Sequence, residues 1–235
     1  MADSPSRADW ARKYIGVFGL ALVPIGPGQK APKGSAWNKP GGYFHDSERA
    51  FEFWTTHPRH NLGVVLEPSR LCSLDVDDVP GARHILRELL GVNLDAISDD
   101  FPCVIGNPQR MRILFRAPEN ITLSRHSLAW PNENDPDGSK YKSTMRLLGE
   151  AKISGDQACI EALKTMADKN RPFTVFELRA GPVQDVLPPS IHPGTGKPYI
   201  WKTPPVAAGF PSLLPELFNA WQNWDLFKRD AEALC

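Results

Sequence analysis

The sequence has no net charge, because its 235 residues include 27 Lys plus Arg and 27 Asp plus Glu. Any binding to nucleic acid must therefore come from a local basic patch and not from the total charge. The sequence also has no C-x-x-C pair, and its 4 cysteines lie far apart with few histidines nearby. This spacing argues against a zinc site and against a disulfide framework, and it predicts free thiols.

Long apolar runs are missing as well. No uninterrupted apolar stretch is long enough to span a bilayer, and residues 1–7 are polar and lack the apolar core of a signal peptide. The 41% of hydrophobic residues are still enough for an ordinary packed core. We therefore expect a soluble, cytoplasmic protein with no membrane partner, which is a monomer as an isolated domain.

The most informative segment is 71–78, whose apolar positions predict a short buried strand. Asp75 and Asp77 share one face of that strand, roughly 7 Å apart, and two carboxylates projecting together from a strand end can hold a divalent cation. The same acids could instead only end the strand and cap the helix that follows. Asp78 points the other way and is predicted to cap a helix that begins near Pro80.

A third acid, Glu177, lies about a hundred residues further along the chain, inside the β-rich segment 173–179. Its apolar neighbours place the carboxylate beside the core. A charge there is costly unless it is paired or bound to a metal.

Two arginines are candidates for holding phosphate. A strand is predicted at 111–115, and alternation puts Arg110 and Arg112 on one face. The planar guanidinium group suits phosphate, although solvent-exposed arginines are also common on strands. In the loop 27–39, which carries three lysines and a tryptophan, Lys30 is either a solvated side chain or a contact to phosphate or base.

The proline- and glycine-rich segment 188–201 is a candidate triphosphate site. Its backbone amides together with Ser190, His192 and Lys197 could bind a triphosphate. Turn chemistry explains the prolines and glycines of this segment, but it explains the Ser, His and Lys less readily.

The middle of the chain has a local excess of basic residues that a polyanion could use. It surrounds an aperiodic segment, 118–142, which is predicted to be a surface excursion. A strand at 144–148, a helix at 156–168 and a closing amphipathic helix at 211–227 are predicted as well. The basic residues are Arg110, Arg112, Arg116, Arg125, Lys140, Lys142 and Arg146, of which Arg116, Lys140, Lys142 and Arg146 are the predicted DNA contacts.

The order of these motifs resembles the bifunctional primase/polymerase (Prim-Pol) domain of the archaeo-eukaryotic primase superfamily, over nearly the whole chain. Each motif is short, and an acid-x-acid pair is common, but the ordered set with its P-P-S-x-H ending is fairly specific. The motifs are K-A-P at 30–32 with Trp37, N-L-G-V-V at 61–65, L-D-V-D at 74–77, F-E-L-R at 176–179, and P-P-S-I-H at 188–192 through Tyr199 and Trp201.

The resemblance implies an α/β (α+β) fold in which an RNA-recognition-motif-like catalytic core packs against an N-terminal α/β unit. It implies a single Prim-Pol domain over 1–235, with the N-terminal part at about 1–70, the catalytic core at about 71–205 and a C-terminal helix at about 206–235. By analogy, we expect a fragment of a longer replication protein of a phage, prophage or plasmid, with a helicase domain following it.

The implied activity is that of a DNA primase and DNA polymerase, which performs template-directed nucleotidyl transfer on a single-stranded DNA template with dNTP or NTP substrates. Asp75, Asp77 and Glu177 would bind two Mg²⁺ or Mn²⁺ ions, and three carboxylates that converge from separate strands suit such a site. The triphosphate contacts would be Arg112, Ser190, His192 and Lys197, with Arg110 and Lys30 as further candidates.

Two positions depart from the family pattern. Arg112 stands where the middle motif normally has a His, and Glu177 stands where an Asp is usual. The first change implies a rewired nucleotide site, although an arginine can still hold a triphosphate. Two alternatives stay open: a two-metal nuclease or phosphodiesterase, which needs no triphosphate loop, and a non-catalytic single-stranded-DNA-binding module of the same fold.

Overall fold

The computed structural model of the chain describes residues 5–34 and 36–234. In this part the helices are α1 (Arg7–Gly16), α2 (Ser47–Thr56), α3 (Val79–Leu90), α4 (Leu94–Asp100), α5 (Ser139–Ser154), α6 (Gln157–Asn170), α7 (Pro215–Gln222) and α8 (Trp224–Leu234). The strands are β1 (Leu22–Ile25), β2 (Asn61–Val65), β3 (Leu71–Val76), β4 (Cys103–Ile105), β5 (Met111–Arg116), β6 (His126–Trp130), β7 (Phe173–Arg179), β8 (Gln184–Leu187) and β9 (Ile200–Thr203). None of the helices described is long and apolar enough to cross a bilayer.

The strands form two antiparallel sheets, so the chain has an α+β fold, as predicted. The smaller sheet has the order β1-β2-β8. Its central strand, β2, is buried at every residue. Helices α1 and α2 contribute to the same core, in which Tyr14 and Trp54 are fully buried. Because β8 comes late in the chain, this sheet joins the N-terminal part to the segment that follows β7.

The larger sheet has the order β6-β7-β3-β5-β4-β9. Strands β3 and β4 lie on either side of β5, and the chain between them forms α3 and α4. With β7 beside β3, this is the split βαβ order of a ferredoxin-like or RNA-recognition-motif-like sheet, as the resemblance implies. Strand β3 is central, and every one of its residues is buried except Asp75. The fold therefore brings one carboxylate to the middle of the sheet.

The helices beside these strands begin and end at residues with known capping preferences. Asp46 accepts hydrogen bonds from the backbone N–H groups of Glu48 and Arg49 at the start of α2. Gly91 ends α3 with a φ of 67°, which favours glycine. Asp78 occupies the N-cap position of α3, as predicted, but its side chain makes no capping hydrogen bond.

Residues 127–175 form a compact unit of their own, and the other described residues form a second, larger unit. The smaller unit contains α5, α6 and most of β6. Its apolar core consists of Leu148, Ala151, Ile160 and Leu163.

Three predictions about the second half of the chain are wrong in whole or in part. The predicted strand 144–148 lies inside α5, because Leu148 belongs to an apolar stripe of helical spacing. The segment 118–142 is mostly exposed, as predicted for a surface excursion, but it is not wholly irregular, since it contains β6 and the start of α5. The closing helix at 211–227 is divided at Asn223 into α7 and α8.

The described cysteines are free thiols, as their spacing predicts. Cys72 and Cys103 are buried and Cys159 is exposed, while Cys235 lies outside the described residues. Burial raises the pKa of Cys72 to about 12 and that of Cys103 to about 11.

Candidate active site

Asp75 lies opposite one charged residue on each neighbouring strand. The register of β3 pairs it with Arg112 of β5 and with Glu177 of β7. Directly opposed residues of antiparallel strands have Cβ atoms about 4.5–5.5 Å apart and point to the same face. Asp77 directly follows the last residue of β3, and the charges of Asp75 and Glu177 act on it. The sheet therefore brings the three predicted metal ligands close together, along with Arg112.

Asp185 of β8 reaches the same group of charges from the smaller sheet. Its side chain is fully buried, and it accepts hydrogen bonds from Ser73 Oγ at 2.6 Å and from Arg179 Nε at 2.8 Å. Arg112 Nε lies 3.5 Å from the same carboxylate. Burial alone would raise the pKa of Asp185, but the charges of Arg112 and Arg179 outweigh it, and the pKa lies below its ordinary value. Asp185 is therefore an ionised, buried partner of both arginines.

Both arginines also contact the predicted metal ligands. Arg112 Nη2 lies 2.8 Å from Asp75 Oδ2. Arg179 Nη1 lies 2.7 Å from Glu177 Oε2, and its Nε lies 4.0 Å from Asp75 Oδ2. The side chains of Arg112 and Arg179 are only 17% and 16% exposed. We call Ser73, Arg112, Arg179 and Asp185 the floor of the site.

Two further arginines contact the acids from the solvent side. Arg110 Nη1 lies 2.7 Å from Asp77 Oδ1, and Arg125 pairs with Glu177 Oε1. Both arginine side chains are 52% exposed, so these ion pairs are open to water and weak in isolation. Burial would raise the pKa of Glu177, but hydrogen bonds from Arg125 and Arg179 lower it. We call Asp77, Arg110 and Arg125 the rim of the site, together with His192, on which the charges of Arg110 and Lys30 act, and Lys30 itself.

The chemistry of the acids fits a divalent cation, although the side chains are not arranged as a metal site. Carboxylate oxygens are the ligands that Mg²⁺ and Mn²⁺ prefer. The pKa of Asp77 is raised by burial and by the charges of Asp75 and Glu177, a repulsion that a cation would relieve. Over residues 5–34 and 36–234, no three His, Cys, Asp or Glu side chains form a group that could hold a metal ion. Each of the three carboxylates contacts an arginine instead, and two of these arginines, Arg110 and Arg125, are half exposed.

The segment that follows β8 is fastened to β2. The Asn61 side chain donates to the carbonyl of Ile191 and accepts from its N–H, both at 2.8 Å. Ser190 Oγ accepts from the N–H of Leu62 at 2.8 Å. Because Ser190 is fully buried, its hydroxyl serves this fastening and is closed to a nucleotide. The predicted triphosphate contact of Ser190 is corrected accordingly.

His192 is the residue of this segment that lies near the rim arginine Arg110. Its Nδ1 accepts hydrogen bonds from the N–H groups of Gly194 and Thr195, both at 3.1 Å. This leaves Nε2 as the N–H donor of the neutral ring. Burial and the positive charges of Lys30 and Arg110 lower the pKa of His192. Two further predicted triphosphate ligands, Lys30 and Arg110, thus lie within electrostatic range of His192.

Lys197 and Tyr199 complete this segment. Lys197 is exposed, and its carbonyl accepts a hydrogen bond from the N–H of His192 at 2.8 Å, which closes the turn. The Tyr199 ring packs against Gly106, where an added Cβ would lie 2.1 Å from Tyr199 Cε1. Because the ring lies so close to the β4–β5 turn, only glycine fits at position 106.

Of the predicted DNA contacts, Arg116 has a structural partner. It lies at the far end of β5, opposite Leu71, and its Nη1 donates to the carbonyl of Ser69 at 3.1 Å. Four residues of strand, or about 13 Å, separate it from Arg112. The arginine therefore holds the turn before β3 and lies away from the acids.

The other three predicted DNA contacts lie on α5, in the unit 127–175. Lys140 Nζ donates to the carbonyl of Asn134 at 2.6 Å, and Arg146 pairs with Glu150 at 2.7 Å. Lys142 is exposed. Their role in binding DNA stays a prediction.

The sequence analysis did not assign three of the charged residues to the site. Arg179 follows Glu177 by two residues, so strand alternation alone could have put both on one face. Asp185 carried a weaker signal, an acid directly before the apolar residues of β8. Arg125 lies in an aperiodic segment, and nothing in its sequence neighbourhood indicates that it reaches Glu177.

The fold and the charged face define the chain as an α+β protein with an RNA-recognition-motif-like sheet that presents acids and arginines together. The family model for the bifunctional DNA primase/polymerase N-terminal domain, Prim-Pol, matches residues 11–217. The chain therefore belongs to the Prim-Pol family, whose members are DNA primases and polymerases. A search of curated proteins found no match.

Proposed function

We propose that this chain is a template-directed nucleotidyltransferase that extends, and can start, a DNA strand with the help of two divalent cations. The observation that supports this most directly is the register of β3, which sets Asp75 opposite Glu177 on one side and opposite Arg112 on the other. Acids that must converge from separate strands are thereby adjacent without any loop having to position them.

In this proposal Asp75, Asp77 and Glu177 hold the cations. When bound, the two cations activate the attacking 3′-hydroxyl and neutralise charge on the leaving pyrophosphate. The protein's contribution is to hold the three carboxylates close together and to keep Glu177 ionised. Arg125 and Arg179 lower the pKa of Glu177, which keeps that carboxylate charged.

The rim receives the incoming triphosphate. Arg110, Lys30 and the Nε2–H of neutral His192 are donors that suit phosphate oxygens. Arg110 contacts Asp77 in the structure and would exchange that carboxylate for a phosphate. Lys197 is exposed on the same segment and extends the set of donors outward. Arg112 stays in the floor, where Asp75 and Asp185 hold it.

Primer extension tests the proposal. Purified protein is incubated with a primed template, dNTP or NTP, and Mg²⁺ or Mn²⁺, and the products are sized. The wild type should make a metal-dependent product, and the double variant Asp75→Asn with Asp77→Asn should lose more than about a thousandfold of that activity, since removal of even one group that stabilises transition-state charge costs about 10²–10³. Asp100→Asn, on an exposed residue of α4, is the matched control. No product from the wild type, or equal product from the double variant, would overturn the proposal.

One observation favours a second candidate, a single-stranded-DNA-binding module without catalysis. Every predicted metal ligand contacts an arginine, and Arg112 occupies the middle-motif position of the family's His. Such a module would bind labelled single-stranded DNA, while Mn²⁺ and triphosphate would leave its melting temperature unchanged.

A two-metal nuclease is tested separately. Labelled DNA is incubated with the protein and metal but without nucleotide, and cleavage of the DNA would reveal nuclease activity.

A further inference from the structure

Asp185 is the most deeply buried charge at the site, and the mechanism above gives it no role. Its side chain is 0% exposed, and it belongs to the smaller sheet, whereas Asp75 and Glu177 belong to the larger one. A buried carboxylate is retained at a cost unless its partners compensate for the lost hydration. Its partners here are Ser73, Arg112 and Arg179.

Both arginines are shared between Asp185 and the predicted metal ligands. Arg112 lies between Asp185 and Asp75, and Arg179 lies between Asp185 and Glu177. Arg112 Nε is buried and has no hydrogen-bond partner in the described residues, although it is 3.5 Å from Asp185. That side of the guanidinium group is therefore held by charge and not by a hydrogen bond. Because Arg125 also pairs with Glu177, three carboxylates meet three arginines here, and removal of Asp185 would leave two carboxylates for three arginines.

We propose that Asp185 is a positioning residue that balances the charge of Arg112 and Arg179 from below, so that Asp75 and Glu177 keep negative charge available for divalent cations. This inference rests on the proposed function. Without Asp185, the two arginines would be neutralised only by Asp75 and Glu177, and they would compete with a cation for those carboxylates. The buried acid is thus what makes an arginine at position 112 compatible with a cation site.

A double-mutant cycle, in which the affinity for Mn²⁺ is measured for each variant, tests this inference without relying on activity. The cycle uses wild type, Asp185→Asn, Arg112→Gln and the double variant, each titrated with Mn²⁺ alone by calorimetry, well below its melting temperature. One elementary charge acting on a divalent ion across about 8 Å, even at the dielectric constant of water, changes affinity roughly fivefold. We therefore expect Asp185→Asn to weaken Mn²⁺ binding at least about fivefold, Arg112→Gln to strengthen it, and the double variant to return close to wild type.

Asp100→Asn removes the same charge from an exposed residue and should leave the Mn²⁺ affinity unchanged. If Asp185→Asn does not fold, Arg112→Gln is compared with the double variant, which removes both charges and should bind Mn²⁺ at least about fivefold more weakly. The role of Asp185 is overturned if wild type and Asp185→Asn bind Mn²⁺ equally well. Where Asp185→Asn does not fold, equal affinity of Arg112→Gln and the double variant overturns it.

The result also separates this inference from the proposed function. A wild type that extends primers but shows no effect of Asp185→Asn on Mn²⁺ affinity refutes the positioning role and leaves the polymerase proposal intact. A wild type that neither binds Mn²⁺ nor extends primers refutes both.

Discussion

Four arginines contact the acids of this site, two from the buried floor and two from the half-exposed rim. Arg112 contacts two carboxylates and Arg179 contacts three, and the fully buried Asp185 is a partner of both. Arg110 and Arg125 each contact one carboxylate and face water. The same residue type therefore has two physical tasks. A buried arginine with several partners fixes the structure, whereas a half-exposed arginine with one partner can exchange that partner for a ligand.

The largest effect expected from this difference is on stability, at the floor. Arg179→Met should lower the free energy of unfolding by about 3 kcal/mol or more, because it leaves Asp185 and Glu177 short of a buried partner. Urea denaturation at neutral pH measures the change. Arg229→Met, at an arginine 73% exposed in its ion pair with Asp230, should change stability by less than about 0.5 kcal/mol. Equal losses in both variants would abolish the distinction between floor and surface.

At the rim, the expected effect moves from stability to ligand binding. Arg110→Gln should change the unfolding free energy by less than about 1 kcal/mol, since its pair with Asp77 is half exposed. It should raise the KM for the nucleotide about tenfold, the loss expected for one charge-assisted hydrogen bond. Steady-state extension kinetics give the KM, and Arg87→Gln on the exposed side of α3 is the control. An unchanged KM would show that Arg110 serves only as the partner of Asp77.

The smallest effect concerns pH. The pKa of His192 is lowered in the folded state by burial, Lys30 and Arg110, so the unfolded chain binds a proton more readily. The stability contributed by His192 is therefore present above the unfolded pKa of about 6.5 and is lost as pH falls through the lower folded value.

The variant His192→Asn is the reference, because its amide oxygen can still accept the two backbone hydrogen bonds. Relative to this variant, the wild type should lose stability on acidification. Urea titrations between about pH 7.5 and about pH 5.5 measure this difference, and adding Arg110→Gln should reduce it. A difference that does not vary with pH contradicts the electrostatic link within the rim.

The strands and the acids could be predicted from sequence because their signals are local. The apolar positions of β3 and β7 and the alternation that puts Asp75 and Asp77 on one face are properties of a few adjacent residues. The family resemblance then predicted that Glu177 lies near the other two acids. The β3–β7 register places Glu177 directly opposite Asp75.

The floor could not be predicted in the same way, because its contacts cross from one sheet to the other. Asp185 meets Ser73 and Arg112 only after β8 joins β2 and β5 joins β3. Ser190 was misassigned for a related reason, since its burial depends on packing against β2 and not on the turn residues beside it. Helix α5 was taken for a strand at 144–148 because five residues are too few to distinguish the two periods.

The pairing of Asp75 with Glu177 also has a consequence for the order of folding. About a hundred residues separate these partners, and the closure of such a loop costs entropy before any contact is gained. During synthesis, Asp75, Asp77 and Arg112 emerge long before β7 and β8, so the nascent chain holds acids and an arginine without the strands that balance them. A refolding chain should therefore bind Mn²⁺ or nucleotide only after the β3–β5 pair has formed and β7 and β8 have joined the sheets. The time course of binding would then measure how fast these last long-range pairings form.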